Sequence, residues 1–218
     1  MNEASIFQRL EQACVVAVLV MERAEDAVPV AEALLAGGVT AMELTLRTPA
    51  ALDALREVKR HAPAMLAGVG TVLRVDQVAQ VLDAGGDFGV APGCNPRVLA
   101  EAQRRGLPFA PGIATPSDIE CGLEHGRRLL KFFPAEPSGG LPFLRSITAP
   151  YAHLGVKYIP LGGLTPANMS AYLREPFIGG IGGSWLAPAD VIRARDWPRI
   201  TAAARQAVTL RDEARAGQ

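Results

Sequence analysis

The 218-residue chain is poor in lysine, histidine and cysteine, and it has no surplus of charge. Its 22 Lys+Arg balance its 22 Asp+Glu, so the formal net charge is zero. A nucleic-acid binder needs a basic surface to displace counterions, which excludes that class; a highly acidic partner is not favoured either. No uninterrupted run of 18 apolar residues occurs, so no helical membrane span is expected. The segment Met1-Asn2-Glu3-Ala4-Ser5 carries an acid and no basic cluster, unlike a secretory signal. Cys14, Cys94 and Cys121 are far apart and odd in number, which fits neither a disulfide framework nor a CxxC metal site. A reducing cytoplasm is therefore the default location. His61, His125 and His153 lack the spacing of a ligand pair, so zinc chemistry is not expected. Neither GxGxxG nor GxxxxGK[ST] occurs, which disfavours dinucleotide and P-loop readings.

What is present is an alternation. The 49% apolar share can fill one core. Apolar runs recur at 15–20, 41–46, 64–70, 88–92, 107–113, 129–134, 156–161 and 178–184. Most are continuous rather than alternating, as in strands covered on both faces. Helical patterns lie between them. Over 24–36, Ala27, Val30, Ala31, Leu34 and Leu35 share one face before Gly37-Gly38 ends the pattern. Over 49–60, Leu52, Leu55 and Val58 do the same. The pairs Thr48-Pro49, Asn95-Pro96, Thr115-Pro116 and Thr165-Pro166 read as a cap followed by proline at the first helical position. Gly85-Gly86, Gly106 and Gly126 mark helix ends, and 196–218 reads as a final helix. Eight βα units of roughly 20–28 residues without a linker predict one domain over 1–218, a (β/α)8 barrel. An open doubly wound sheet is the alternative.

In such a barrel, function gathers at the C-terminal strand ends. Of the 22 basic residues only Lys59, Lys131 and Lys157 are lysines, so amine chemistry has three candidates. Lys59 lies in the charged string Arg56-Glu57-Val58-Lys59-Arg60 and reads as solvated surface. Lys157 opens a strand run, at the far end from the chemistry. Lys131 sits inside Leu129-Leu130-Lys131-Phe132-Phe133-Pro134, where an unpaired charge is costly. It reads either as a buried ion pair or as a nucleophile that forms a Schiff base with a carbonyl substrate. At a reference pKa near 10.4, only about one lysine in 2,500 is neutral at pH 7, so a working nucleophile needs help from its surroundings. Period two in Glu43-Leu44-Thr45-Leu46-Arg47 puts Glu43, Thr45 and Arg47 on one face. Glu43 is then a candidate acid/base and Arg47 a candidate carboxylate clamp, unless they form a barrel salt bridge. Gly68-Val69-Gly70-Thr71 suggests close ligand approach. Gly162-Gly163 and Gly179-Gly180-Ile181-Gly182-Gly183-Ser184 follow the last two strand runs, where barrels bind phosphate, and can also be plain turns.

These strings resemble the 2-dehydro-3-deoxy-phosphogluconate aldolase family, also called KDPG/KHG aldolases. The matching segments are Glu43–Thr48 (ELTLRT), Gly68–Val72 (GVGTV), Pro111–Ile113 (PGI), Lys131–Glu136 (KFFPAE), Gly162-Gly163 and Gly182–Leu186 (GGSWL). They fall in order over roughly residues 10–210. The resemblance implies a metal-free class I aldolase with no cofactor, usually a homotrimer, acting on a 2-keto acid and a phosphorylated aldehyde. It implies Lys131 as the Schiff-base lysine and Glu43 as the proton carrier. Arg47 and Thr71 would hold the pyruvate carboxylate, Phe133 would pack on the pyruvyl part and Pro92 would line the pocket. Gly162, Gly163, Gly183 and Ser184 would take the phosphate. Gluconate-type members usually have threonine where this chain has Leu161, so the galactonate epimer is a second substrate candidate. A non-covalent phosphate-binding barrel enzyme and a non-catalytic sugar-acid sensor are the other readings the sequence permits.

Overall fold

The structure, a computed structural model, describes residues 3–216. Parallel strands β1 (Val15–Leu19), β2 (Ala41–Thr45), β3 (Leu66–Gly70), β4 (Gly89–Val90), β5 (Phe109–Ala110) and β9 (Ile181–Gly183) form one sheet in the order β5-β4-β3-β2-β1-β9. A second sheet joins β6 (Gly112–Ile113), β7 (Leu129–Phe132) and β8 (Lys157–Pro160). The expected run 107–113 is thus split between the two sheets. Pro111 stands at the split, and it has no N–H to give to a ladder. Its carbonyl still accepts from Lys131 N–H at 2.8 Å, which ties β7 to the split. At the other margin Tyr158 bridges Ile178 in parallel. There Tyr158 N–H donates to Phe177 O at 2.9 Å and Gly179 N–H to Tyr158 O at 3.0 Å.

Helices alternate with the strands: α2 (Ala27–Ala36), α3 (Ala51–His61), α4 (Val75–Asp83), α5 (Pro96–Arg105), α6 (Pro116–Glu124), α7 (Gly140–Thr148), α8 (Met169–Leu173), α9 (Ala189–Arg193) and α10 (Trp197–Arg215). Two of the four cap-proline pairs behave as the sequence suggests. The Asn95 and Thr115 side chains accept from Arg97 and Asp118 N–H, with proline next in each helix. Thr48 does not cap α3; its hydroxyl donates to Met21 O at 2.5 Å instead. Thr165 precedes a turn, and α8 begins only at Met169. A cap-proline string favours a helix start locally, but a stronger distant acceptor or a turn can use the same residues.

The core has two parts. One lies between strands and helices and includes Leu19, Leu44, Leu55 and Val69. The other gathers inward residues, among them Val16, Ala41, Leu66, Phe88, Ala110, Leu129 and Ile159. Into that second part the helix α1 (Glu3–Ala13) inserts Ile6 and Leu10, 2% and 3% exposed. Sequence reasoning did not anticipate this helix, although Ile6, Leu10 and Ala13 have helical spacing. Each large apolar side chain so buried contributes about 1.5–3 kcal/mol.

Candidate active site

Lys131 on β7 and Glu43 on β2 are 5% and 2% exposed. Their neighbours Leu130, Phe132 and Leu44 pack in the outer core, so strand alternation turns the two charged side chains inward. Lys131 Nζ lies 3.1 Å from Glu43 Oε1 and 3.5 Å from Oε2. The ion-pair reading is thus met by the geometry, and the pair faces a cavity. Nζ also stands 5.4 Å from the Phe133 ring centroid, a cation–π distance. The glycines of β3 make room for two inward side chains, Gly70 for Glu43 and Gly68 for Phe88. A Cβ at Gly70 would sit 1.7 Å from Glu43 Oε1, and one at Gly68 would sit 2.4 Å from the Phe88 ring.

The cavity has a volume of about 190 Å³. Its walls include Glu43, Arg47, Thr71, Pro92, Lys131, Phe133, Leu161, Gly162, Gly183 and Ser184. Gly163 lies instead on an outer cavity of about 510 Å³, which shares Arg47, Val18, Val20 and Ser184 with the inner one. The sequence reading thus found residues from six separate stretches that the fold brings together. It missed Val18 and Val20 as wall residues. Val18 and Val20 alternate along the first run and could have been found that way. Thr45 shares the face of Glu43 and also touches the cavity, yet its hydroxyl is committed to Leu19 O at 3.0 Å.

Thr71 has φ of +62°, a conformation costing a β-branched residue on the order of 1–3 kcal/mol. Such an outlier at a cavity wall points to function. Gly162 and Gly163 have φ of +96° and +82°. A Cβ at Gly182 would meet Leu161 Cγ at 2.6 Å, and one at Gly183 would meet the Trp185 ring. These glycines therefore let Leu161 and Trp185 lie against the last strand.

The other two lysines diverge from Lys131. Lys59 is not simply solvated: Nζ donates to both Asp87 oxygens at 2.8 and 2.7 Å. Lys157 opens β8 and donates to Pro176 O at 2.5 Å, at the strand's far end as expected. A larger cavity, about 380 Å³, lies among Tyr151, Tyr158 and Phe177 outside the sheets and holds no acid–base pair. Among the described residues no three His, Cys, Asp or Glu side chains gather as a metal would require.

Residues 6–203 match the family model for KDPG and KHG aldolases. The chain belongs to the KDPG/KHG aldolase family. Family members are pyruvate-dependent class I aldolases, carbon–carbon lyases. The KHG/KDPG aldolase of Escherichia coli K12 is 44% identical over 194 residues, 89% of this chain and 90% of that one. Two solved aldolases share the fold. A 2-keto-3-deoxy-6-phosphogluconate aldolase of Zymomonas mobilis with 3-phosphoglycerate has TM-score 0.87 and 39% identity, covering 94% of each chain. A KDPG aldolase of Legionella pneumophila, with pyruvate captured as a covalent carbinolamine, has TM-score 0.87 and 36% identity. It covers 94% of this chain and 97% of that one.

Proposed function

We propose that this family member cleaves 2-keto-3-deoxy-6-phosphogluconate to pyruvate and glyceraldehyde 3-phosphate, and 4-hydroxy-2-oxoglutarate to pyruvate and glyoxylate. The observation that carries the reading is the Lys131–Glu43 pair at 3.1 Å on the wall of the inner cavity. Glu43 takes a proton from Nζ, and the freed amine adds to the C2 carbonyl. Glu43 returns that proton to the carbinolamine hydroxyl, which leaves as water, so that Glu43 is again a carboxylate and an iminium joins Nζ and C2. Glu43 removes the C4 hydroxyl proton, and the C3–C4 bond breaks with its electron pair passing to the iminium. The aldehyde departs and an enamine remains. Protonation at C3 and hydrolysis release pyruvate and return the amine. The lysine imine is the electron sink, so the reaction needs no metal or added cofactor.

The walls supply the rest. Arg47 and Thr71 bind the C1 carboxylate, with the guanidinium giving a two-pronged contact. Phe133 and Pro92 flank the pyruvyl part. The amides of Gly162, Gly163 and Gly183 and the Ser184 hydroxyl take the phosphate at the junction of the two cavities. We read the two sheets as one closed (β/α)8 ring within a single domain over 1–218, its margins at Pro111 and at the Tyr158–Ile178 bridge, assembled as a cytoplasmic homotrimer. Leu161 offers the sugar no hydrogen bond, so discrimination between the gluconate and galactonate epimers falls to the other walls.

Borohydride added with pyruvate tests the covalent step. It should leave a reduced pyruvyl adduct on the Lys131 peptide, detected by mass. Lys131→Ala should take no label and lose pyruvate release in a coupled lactate dehydrogenase assay by at least about 10⁴-fold. An unlabelled wild type, or a Lys131→Ala variant retaining most activity, would overturn the reading in favour of a non-covalent enzyme. The same assay with both epimers and with 4-hydroxy-2-oxoglutarate ranks the substrates.

A further inference from the structure

Asn168 breaks a local rule. It occupies the N-cap position of α8, where an asparagine side chain ordinarily accepts from its own helix, and it makes no such bond. Its side chain reaches backward instead. Oδ1 accepts from Thr165 N–H at 2.8 Å, and Nδ2 donates to Gly163 O at 3.1 Å. The preceding carbonyl is also tied, because Gly162 O accepts from Glu136 N–H at 3.0 Å. Glu136 is held in turn: the Tyr172 hydroxyl on α8 donates to Glu136 Oε1 at 2.5 Å. Tyr172 is 2% exposed, and burial followed by the Glu136 carboxylate raises its hydroxyl above the usual phenol range. It therefore remains a donor throughout the working pH range. A Cβ at Gly163 would lie 2.6 Å from Glu136 Cβ, so loop and anchor are in direct contact.

Both carbonyls of the Gly162-Gly163 segment are thus occupied from behind, one by each arm of a clamp. An oxyanion is repelled by carbonyl oxygens and attracted by amide N–H groups, so tying back the carbonyls gives the loop its polarity. The carboxylate of Glu136, which would repel a phosphate, is fastened to Tyr172. We propose that Asn168 and the Glu136–Tyr172 pair are positioning residues that orient the glycine loop for the phosphate of the substrate, without touching that phosphate. The proposal rests on the phosphorylated-substrate reading above.

The test compares two readouts on the intact protein. One is KM for 2-keto-3-deoxy-6-phosphogluconate. The other is the pyruvate concentration giving half-maximal borohydride trapping on Lys131, which involves no phosphate. Asn168→Ala should raise KM by about tenfold or more, the scale of misplacing a binding group by a fraction of an ångström. Half-maximal trapping should stay within about twofold. Asn168→Gln, which keeps an amide, should recover part of the loss. Tyr172→Phe keeps the ring and removes only the hydroxyl, so it tests the second arm if Asn168→Ala does not fold, and should act in the same direction. An equal rise in both readouts, or no change in KM for either variant, would overturn the proposal. A wild type that treats phosphorylated and unphosphorylated sugar acids alike would instead overturn the underlying substrate reading.

Discussion

Two lysine–carboxylate pairs in this molecule look alike in a distance table and differ in every other respect. Asp87, under the end of α3, is saturated: Lys59 Nζ meets both oxygens, and Ala67 N–H adds a bond at 2.9 Å. Glu43 accepts from Lys131 at 3.1 and 3.5 Å and opens onto a cavity. The first pair fastens a helix to β3. The second has spare acceptor capacity and space beside it for a third party. A buried ion pair is thus a weak indicator of role until its remaining lone pairs and its neighbourhood are counted. A third pair, Arg127 with Glu3, resembles the first, with Arg127 1% exposed and its Nη1 2.5 Å from Glu3 on α1.

Substitution should separate the three. Glu43→Gln should lower kcat by about 10²- to 10⁴-fold, the usual worth of a general acid–base group, while the melting temperature changes little, because the cavity beside Lys131 lets water reach the ammonium left without its carboxylate. Steady-state kinetics and calorimetry on one preparation check both halves. Asp87→Asn should do the reverse, costing about 3 kcal/mol in urea unfolding because it leaves a mostly buried cation short of its partner, with kcat within about twofold. Glu3→Gln should have the smallest effect, about 1 kcal/mol of stability and no kinetic change, because the Glu3 side chain is partly solvated and Arg127 keeps Leu99 O as a second acceptor. A large kinetic loss from Asp87→Asn, or a large stability loss from Glu43→Gln, would break the contrast.

The same contrast explains what could be read in advance. Lys131 and Glu43 were legible because charge inside an apolar strand run is conspicuous, and alternation says which way it points. Asp87 was not, because it precedes a short strand and its partner sits 28 residues earlier in a string that looks like surface. The eight apolar runs located the strands, but only the missing amide of Pro111 divides one of them. Gly70 read as an opening for a ligand, and the neighbour it makes room for in the fold is the Glu43 carboxylate. Spacing along a chain announces that a glycine matters without saying which neighbour requires it. Asn168 was illegible for a related reason, since its side chain acts on the residues behind it rather than on the helix ahead.

The helix α1 carries a consequence in time. Its Ile6 and Leu10 seat among residues that extend to Ile159 and Leu161. The helix α1 therefore cannot complete its contacts until about 150 further residues, from Leu10 to Leu161, are in place. Contacts of such wide sequence separation close late and slow folding. Leu10 also borders a small void beneath Glu43 and Lys131. The floor of the site is thus made in part from α1 and must wait for β8 before it can be laid.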